Sequence, residues 1–316
     1  MGTMLEVRDL TLVGSATAPG DIRFAAGEVT VILGRNHAGK TPLCRLLAGL
    51  PTTASGKVII DGEDISSLPP PKRPVAMVYQ AFVNYPHWQV RQNIASPLVA
   101  QSGARKIDHQ RVREIAARVG IDDLLDRFPS ELSGGQQQRL AIARALAKSP
   151  SILVMDEPLV NLDYKLRERL IADMRSMLLT DDMVIVYTTT DPADAMALAD
   201  HLVLMDRGEV LQQGKPLDVY RNPASLRAAN LQSDPGINLI DATRGVRPEH
   251  VSLDPVAGQS FPGVIRGVET NGADTFLHAS VAGQDWVIKR PGMLHLAVDQ
   301  TATFHVRDQD VIEERA

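Results

Sequence analysis

The sequence predicts an α/β fold on a mostly parallel sheet, followed by a small all-β domain. Three observations predict it. Short apolar runs recur with helical stretches between them, as in a sheet covered on both faces. One run feeds a glycine-rich loop that opens a helix. Near residue 222 the pattern changes to short alternating segments separated by turns.

Ile22-Arg23-Phe24 reads as a strand with Phe24 in the core. Residues 29–33 (VTVIL) form a β-branched run of the kind buried in parallel sheets, and TPLCRLLAGL reads as the helix after it. Strands are expected at 75–79, 152–155, 183–187 and 202–205, and helices at 108–126, 136–148 and 164–179, with Pro150 stopping the second. The stretch NPASLRAANLQSDPG ends in a turn signal. Beyond it come strands at 264–268, 275–278, 286–288 and 301–306, with Asn271-Gly272 turning between the first two. The expected division is 1–235 and 236–316.

The totals narrow the function. A net charge of −5 argues against a nucleic-acid partner, because backbone phosphates require a basic face. The single cysteine, Cys44, excludes an internal disulfide framework and reads as a small apolar residue of the helix after the glycine-rich loop. MGTMLEVRDL is too charged for a signal peptide, and no run approaches the roughly 18 apolar residues of a membrane helix. Work at a membrane would need a partner.

Gly34-Arg35-Asn36-His37-Ala38-Gly39-Lys40-Thr41 fits GxxxxGK(S/T) between a strand and a helix, the context of a phosphate-binding loop. The glycines let backbone N–H groups close around phosphate oxygens, and the helix N-terminus adds positive potential. Lys40 is expected to reach the β- and γ-phosphates and Thr41 to hold Mg²⁺. The strand at 152–155 delivers Asp156 and Glu157: one carboxylate for Mg²⁺, one to orient or deprotonate water. Leu132-Ser133-Gly134-Gly135-Gln136-Gln137-Gln138-Arg139 offers a second anion-binding helix start, with Ser133 as N-cap.

With these motifs in one order, residues 4 to about 235 resemble the ATP-binding cassette (ABC) ATPases. The resemblance implies a P-loop NTPase core with a β-subdomain and a helical subdomain at about 81–150. It implies ATP and Mg²⁺ as cofactors. Gln80 in MVYQ resembles the glutamine that senses Mg²⁺ and the γ-phosphate, and Asn161-Leu162-Asp163 the loop that faces a second chain. Two such chains meet head to tail, each phosphate loop closed by the other chain's Ser133-Gly134-Gly135-Gln136 equivalent. YPHWQVRQNI, EVLQQGKPLDVYRNPAS and Gly245-Val246-Arg247-Pro248-Glu249-His250 resemble importers of sugars and polyols, glycerol importers most of all. That implies an oligonucleotide-binding-like (OB-like) regulatory barrel at 236–316, shorter than usual. It also implies two transmembrane permease subunits, an extracytoplasmic binding protein reached through them, and work at the cytoplasmic face of the bacterial inner membrane. Tyr85, Pro86, His87 and Trp88 are expected to form a docking surface, while Trp88 and Trp286 also read as packing residues.

Two departures stand out. Aligning Asp191 with the family aspartate puts Thr190 where a switch histidine is usual. The only aromatic between Leu10 and Gly27 is Phe24, so the ring that stacks on adenine is missing. These predict an attenuated half-site in an asymmetric pair with a second ATPase chain. The alternatives are a non-hydrolytic partner that binds ATP only to assemble, a maltose-type sugar importer ATPase, and a soluble ABC protein of translation or repair. The last lacks support in the single phosphate loop and the absence of a coiled-coil insertion.

Overall fold

The computed structural model describes residues 3–12, 20–102, 108–160, 162–178 and 182–314. They form two compact units, Met1–Pro216 and Leu217–Ala316.

The first unit holds two sheets. Strands β1 (Met4–Thr11), β2 (Gly20–Ala25), β4 (Ser55–Ile60) and β5 (Glu63–Asp64) form an antiparallel sheet in the order β2-β1-β4-β5. Its inner residues Leu5, Val7, Ile22, Phe24 and Val58 are fully buried, so Phe24 is core. Strands β3 (Val29–Leu33), β6 (Val75–Val78), β7 (Ile152–Asp156), β8 (Val184–Thr189), β9 (His201–Asp206) and β10 (Glu209–Gly214) form the central sheet, in the order β10-β9-β3-β8-β7-β6. It is parallel except for β10. Strands β3, β7 and β8 are buried along their whole length, which explains their unbroken apolar runs. The chain order departs from the spatial order, so β7 lies between β6 and β8. The carboxyl ends of β3, β7 and β8 therefore open onto one place, where α/β sheets bind ligands.

Helices α1 (Lys40–Ala48), α2 (Val90–Ser102), α3 (His109–Arg118), α4 (Gly134–Leu146), α5 (Tyr164–Leu178) and α6 (Pro192–Leu198) complete the unit. The stretch expected to be helical over 108–126 ends at Arg118. Gly120 takes a left-handed φ of 67°, and the Gly120 and Ile121 N–H groups fold back onto the Ala117 and Ala116 carbonyls, a glycine stop. Helix α2 carries Pro97 inside it and has no counterpart among the helices expected from periodicity. The Asp108 carboxylate caps α3 by accepting from the Arg111 N–H.

The second unit begins at Leu217. Helix α8 (Leu226–Leu231) and most of α7 (Pro216–Arg221) belong to it. Arg247, 1 % exposed, donates to the carbonyls of Tyr220 and Ala229 and to Ser233 Oγ, and its guanidinium lies 3.8 Å over the Tyr220 ring. One buried arginine thus ties both helices to the β domain. There, β13 (Val251–Ser252), β14 (Gln259–Thr270), β15 (Asp274–Val281), β16 (Gln284–Pro291) and β17 (Thr301–Val306) form an antiparallel sheet in the order β13-β17-β14-β15-β16. Its two edge strands approach each other, the curl of an OB-like barrel. Strand β15 alternates buried and half-buried residues along its length. Trp286, Phe304, Ile265 and Leu277 fill the interior, and the Trp286 indole N–H donates to the Leu239 carbonyl at 2.9 Å. Strands β11 (Asn238–Leu239), β12 (Arg244–Val246) and β18 (Val311–Glu313) form a small separate sheet.

Candidate functional site

The loop from Gly34 to Gly39 is shaped by close approach. A Cβ on Gly34 would lie 2.4 Å from the Met205 carbonyl oxygen, so only glycine fits between β3 and β9. Gly39 takes φ 106°, which suits glycine alone. His37 is exposed and also left-handed, at φ 65°.

Helix α1 begins at Lys40, whose side chain is 3 % exposed. Its ammonium donates to the carbonyls of Gly34 (2.7 Å) and Arg35 (2.9 Å) and pairs with Glu157 Oε1 at 2.9 Å. The Thr41 hydroxyl donates to Asp156 Oδ1 at 3.1 Å. The Thr188 hydroxyl donates to the same oxygen, also at 3.1 Å. Thr188 Oγ1 in turn accepts the Glu157 N–H at 3.0 Å. That bond holds Glu157 in a left-handed backbone, φ 45°, unusual for a non-glycine residue. Burial pushes the Asp156 carboxyl up from its ordinary range, against the two hydroxyl bonds and Lys40 that favour its charge. Burial and the nearby Asp156 charge push the Cys44 thiol well up, so Cys44 is inert packing.

These groups surround a cavity of about 520 Å³ lined by Asn36 to Thr41, Gln80, Glu157, Leu12, Thr53 and Gly208 among others. The structure therefore brings the phosphate loop, Gln80 and Glu157 to one cavity, with Asp156 behind Thr41. Ser133, Gly134, Gly135, Gln136 and Asp163 do not line it. They lie elsewhere, with Ser133, Gly134 and Asp163 exposed and Gly135 buried, and Ser133 caps α4. Its Oγ accepts from the Gln136 N–H, and Gln136 Oε1 accepts from the Ser133 N–H at 2.9 Å, a reciprocal capping box. Asp163 accepts from the Leu166 N–H at the start of α5. Asn161 lies outside the described residues.

Thr188 and Leu12 have no place among the site residues expected from the sequence. The signal for Thr188 is the pairing of Asp156 with Thr188 between β7 and β8, which requires the strand order. Leu12 lines the cavity beside Gly39. Thr190 lines a smaller cavity, of about 10 Å³, together with Glu157, Arg167, Tyr187 and Asp194. That is about the room for one water.

Tyr85 and Trp88 are each 43 % exposed, so Trp88 is not interior packing. Their rings meet at 4.6 Å, and the Arg144 guanidinium lies 4.2 Å over Tyr85. Among the described residues no helix is long and apolar enough to cross a membrane.

Comparison with known proteins agrees with this geometry. The ABC transporter family matches residues 19–160 and the TOBE domain family residues 244–312. The chain is 36 % identical over 330 residues to sn-glycerol-3-phosphate import ATP-binding protein UgpC 2 of Agrobacterium fabrum, covering 91 % of this chain and 87 % of that one. It is 34 % identical over 304 residues to the UgpC protein of Rhizobium meliloti, with 88 % and 87 % covered. A metal-chelate type ABC transporter solved in an inward-facing conformation shares the fold, with a TM-score of 0.59 over 69 % of this chain and 85 % of that one at 22 % identity. With a phosphate loop, a paired Asp156-Glu157 and relatives alike over nearly their whole length, the chain belongs to the ABC transporter family, as an ATP-binding, ATP-hydrolysing subunit of a bacterial importer that works with transmembrane permeases.

Proposed function

We propose that this chain hydrolyses ATP with Mg²⁺ to drive uptake of glycerol or a related polyol or sugar, and that its own half-site is the slower one of an asymmetric, head-to-tail pair. The observation that carries the reading is the cluster around Asp156: two hydroxyls on one carboxylate oxygen, with Glu157 held beside Lys40 at 2.9 Å. A hydroxyl and a carboxylate 3.1 Å apart are hard oxygen donors and suit Mg²⁺. Bound there, Mg²⁺ would supply positive charge against the phosphate oxygens. Thr41, Asp156 and Gln80 are the residues that would hold it.

Lys40 leaves Glu157 for the γ-phosphate, which frees the Glu157 carboxylate to orient and deprotonate the attacking water. The backbone N–H groups of residues 34–41 bind the phosphates. Ser133 to Gln136 serve the ATP of the partner chain, and Asp163 faces that chain. Thr190 stands in for a switch histidine. It can donate one hydrogen bond but carries no charge, and loss of one preorganised donor costs about 10²–10³ in rate.

The names of the relatives favour glycerol-3-phosphate or a kindred polyol as cargo. The paired rings of Tyr85 and Trp88, both half-exposed, favour this surface for permease docking at the cytoplasmic face of the inner membrane. A non-hydrolytic role is favoured by Thr190 and by the burial of Phe24, which leaves no ring there for adenine.

ATP turnover of the full chain separates the two. Thr190→His is expected to raise turnover and Glu157→Gln to abolish it. Background turnover in all three forms overturns hydrolysis at this half-site.

A further inference from the structure

Arg167 lines the small cavity beside Thr190 and has been given no role so far, yet it pairs with two carboxylates there. Its Nε donates to both carboxylate oxygens of Asp194, at 3.1 and 2.9 Å. Its Nη2 contacts Asp194 again and Asp191 Oδ2, the latter at 3.1 Å. A fork on one carboxylate with a second carboxylate on the same nitrogen fixes the guanidinium plane.

Both carboxylates are built into the turn that carries Thr190. Asp191 caps α6 by accepting from the Ala193 N–H at 2.7 Å. The Asp191 N–H donates to Thr189 Oγ1 at 3.0 Å, and the Thr189 hydroxyl donates to Asp194 Oδ2 at 3.3 Å. Thr190 sits between two residues whose side chains are held by this network. The side chain of Asp194 is 6 % exposed and that of Arg167 21 %. Burial raises the Asp194 pKa, and Arg167 opposes the rise, so the pair is shielded from solvent screening.

The other end of Arg167 is fixed as well. Its backbone N–H donates to the Asp163 carbonyl at 2.9 Å. The same first turn of α5 therefore joins the Asp163 loop to the Thr190 turn. Arg167, Thr190 and Glu157 line one cavity of about 10 Å³.

We infer that Arg167 is a positioning residue for ATP hydrolysis: through Asp194 and Asp191 it sets Thr190 against Glu157, and it links that setting to the Asp163 loop. The inference rests on the reading of Thr190 as the residue that faces the γ-phosphate. Its consequence is a change in kcat without a change in nucleotide binding, because no atom of Arg167 lines the phosphate cavity.

The test is a double-mutant cycle on the full chain: wild type, Arg167→Met, Thr190→Ala and the double variant, with kcat, KM for ATP and melting temperature measured for each. Arg167→Met is expected to lower kcat by about tenfold, within the roughly hundredfold that a 1 Å misplacement costs, with KM unchanged. The loss is expected to vanish in the Thr190→Ala background, since residues acting as a unit are not additive. Arg167→Lys, which keeps charge but not the fork, is expected to recover only part of kcat. If Thr190→Ala slows turnover and Arg167→Met multiplies that loss unchanged, the positioning role is overturned while the reading of Thr190 stands. If Thr190→Ala leaves kcat at the wild-type value, the reading of Thr190 fails and the inference falls with it. Should Arg167→Met not fold, Asp194→Asn takes its place in the same cycle.

Discussion

Replacing Gly39 with alanine tests the phosphate loop where its geometry is most demanding. The residue takes φ 106° and ψ 6°, and the added Cβ would meet Leu12 Cδ1 at 2.5 Å. A non-glycine residue in such a region costs about 1–3 kcal/mol. The clash with Leu12 adds little, since Cδ1 is the free end of a side chain that can turn. The cost has two places to go. If the loop keeps its shape, the native state carries the strain, and the melting temperature falls by about 2–12 °C for a unit of this size. If the loop relaxes, it must return to its cradle to bind ATP, and affinity falls by about fivefold to about 150-fold. Differential scanning fluorimetry and equilibrium titration with an ATP analogue together must account for the whole cost. The double variant Gly39→Ala/Leu12→Ala, compared with Leu12→Ala alone, separates backbone from clash: the Gly39→Ala effect is expected to persist. Wild-type affinity together with an unshifted melting temperature would refute the argument. Disappearance of the effect in the Leu12→Ala background would place the cause in the clash.

Three more outcomes are expected. Burial raises the Asp156 pKa above its unfolded value, so the folded state holds this proton more tightly, and stability from this group falls as pH rises through the window between the two values. Asp156→Asn is therefore expected to raise the melting temperature at neutral pH, with the gain shrinking toward acid, while Mg²⁺-dependent turnover is lost; a lower melting temperature at neutral pH refutes the sign. Tyr85→Ala is expected to uncouple uptake from turnover while ATP binding stays intact, measured in vesicles that carry the permease; unchanged uptake refutes the docking surface. Ser133→Ala is expected to cost about 0.5–1 kcal/mol, the low end for an N-cap, because the Ser133 hydroxyl accepts at a long 3.4 Å while the Gln136 half of the box survives. Urea unfolding measures it, and a cost above about 2 kcal/mol would mean the hydroxyl does more than cap.

What was legible in the sequence is what is local. The runs at 29–33 and 301–306 match β3 and β17 residue for residue, because β-branched residues bounded by turns have few other uses. The phosphate loop and the Asp156-Glu157 pair are contiguous motifs, so their chemistry is readable before any fold is known. Helix α2 escaped because Pro97 argues against a helix, yet its buried Val90, Ile94 and Ala95 secure it by tertiary packing. The tie between the helices at 216–231 and the β strands escaped because Arg247 acts across sequence, holding Tyr220, Ala229 and Ser233 from a different element. Thr188 and Arg167 escaped for the same reason: their partners lie 32 and 27 residues away, and only the strand order and the packing of α5 on α6 bring them together.

That distinction changes how the run Thr188-Thr189-Thr190 reads. Three like residues in a row suggest one shared role, yet the structure gives them three. Thr188 ends in the site itself, on Asp156 and the Glu157 N–H. Thr189 binds Asp194 and accepts the Asp191 N–H, which supports the turn after the strand. Thr190, past the strand end, returns toward Glu157. A histidine at 190 would add a longer donor but disturb neither neighbour's bonds, because the hydroxyls that build the site and its support belong to 188 and 189. On the proposal of a slower half-site, a single donor is shortened while the scaffold around it is intact. This is why one substitution, Thr190→His, is expected to restore turnover, whereas Thr188→Val, which strips both Asp156 and Glu157 of a partner, is expected to abolish it with Thr190 unchanged.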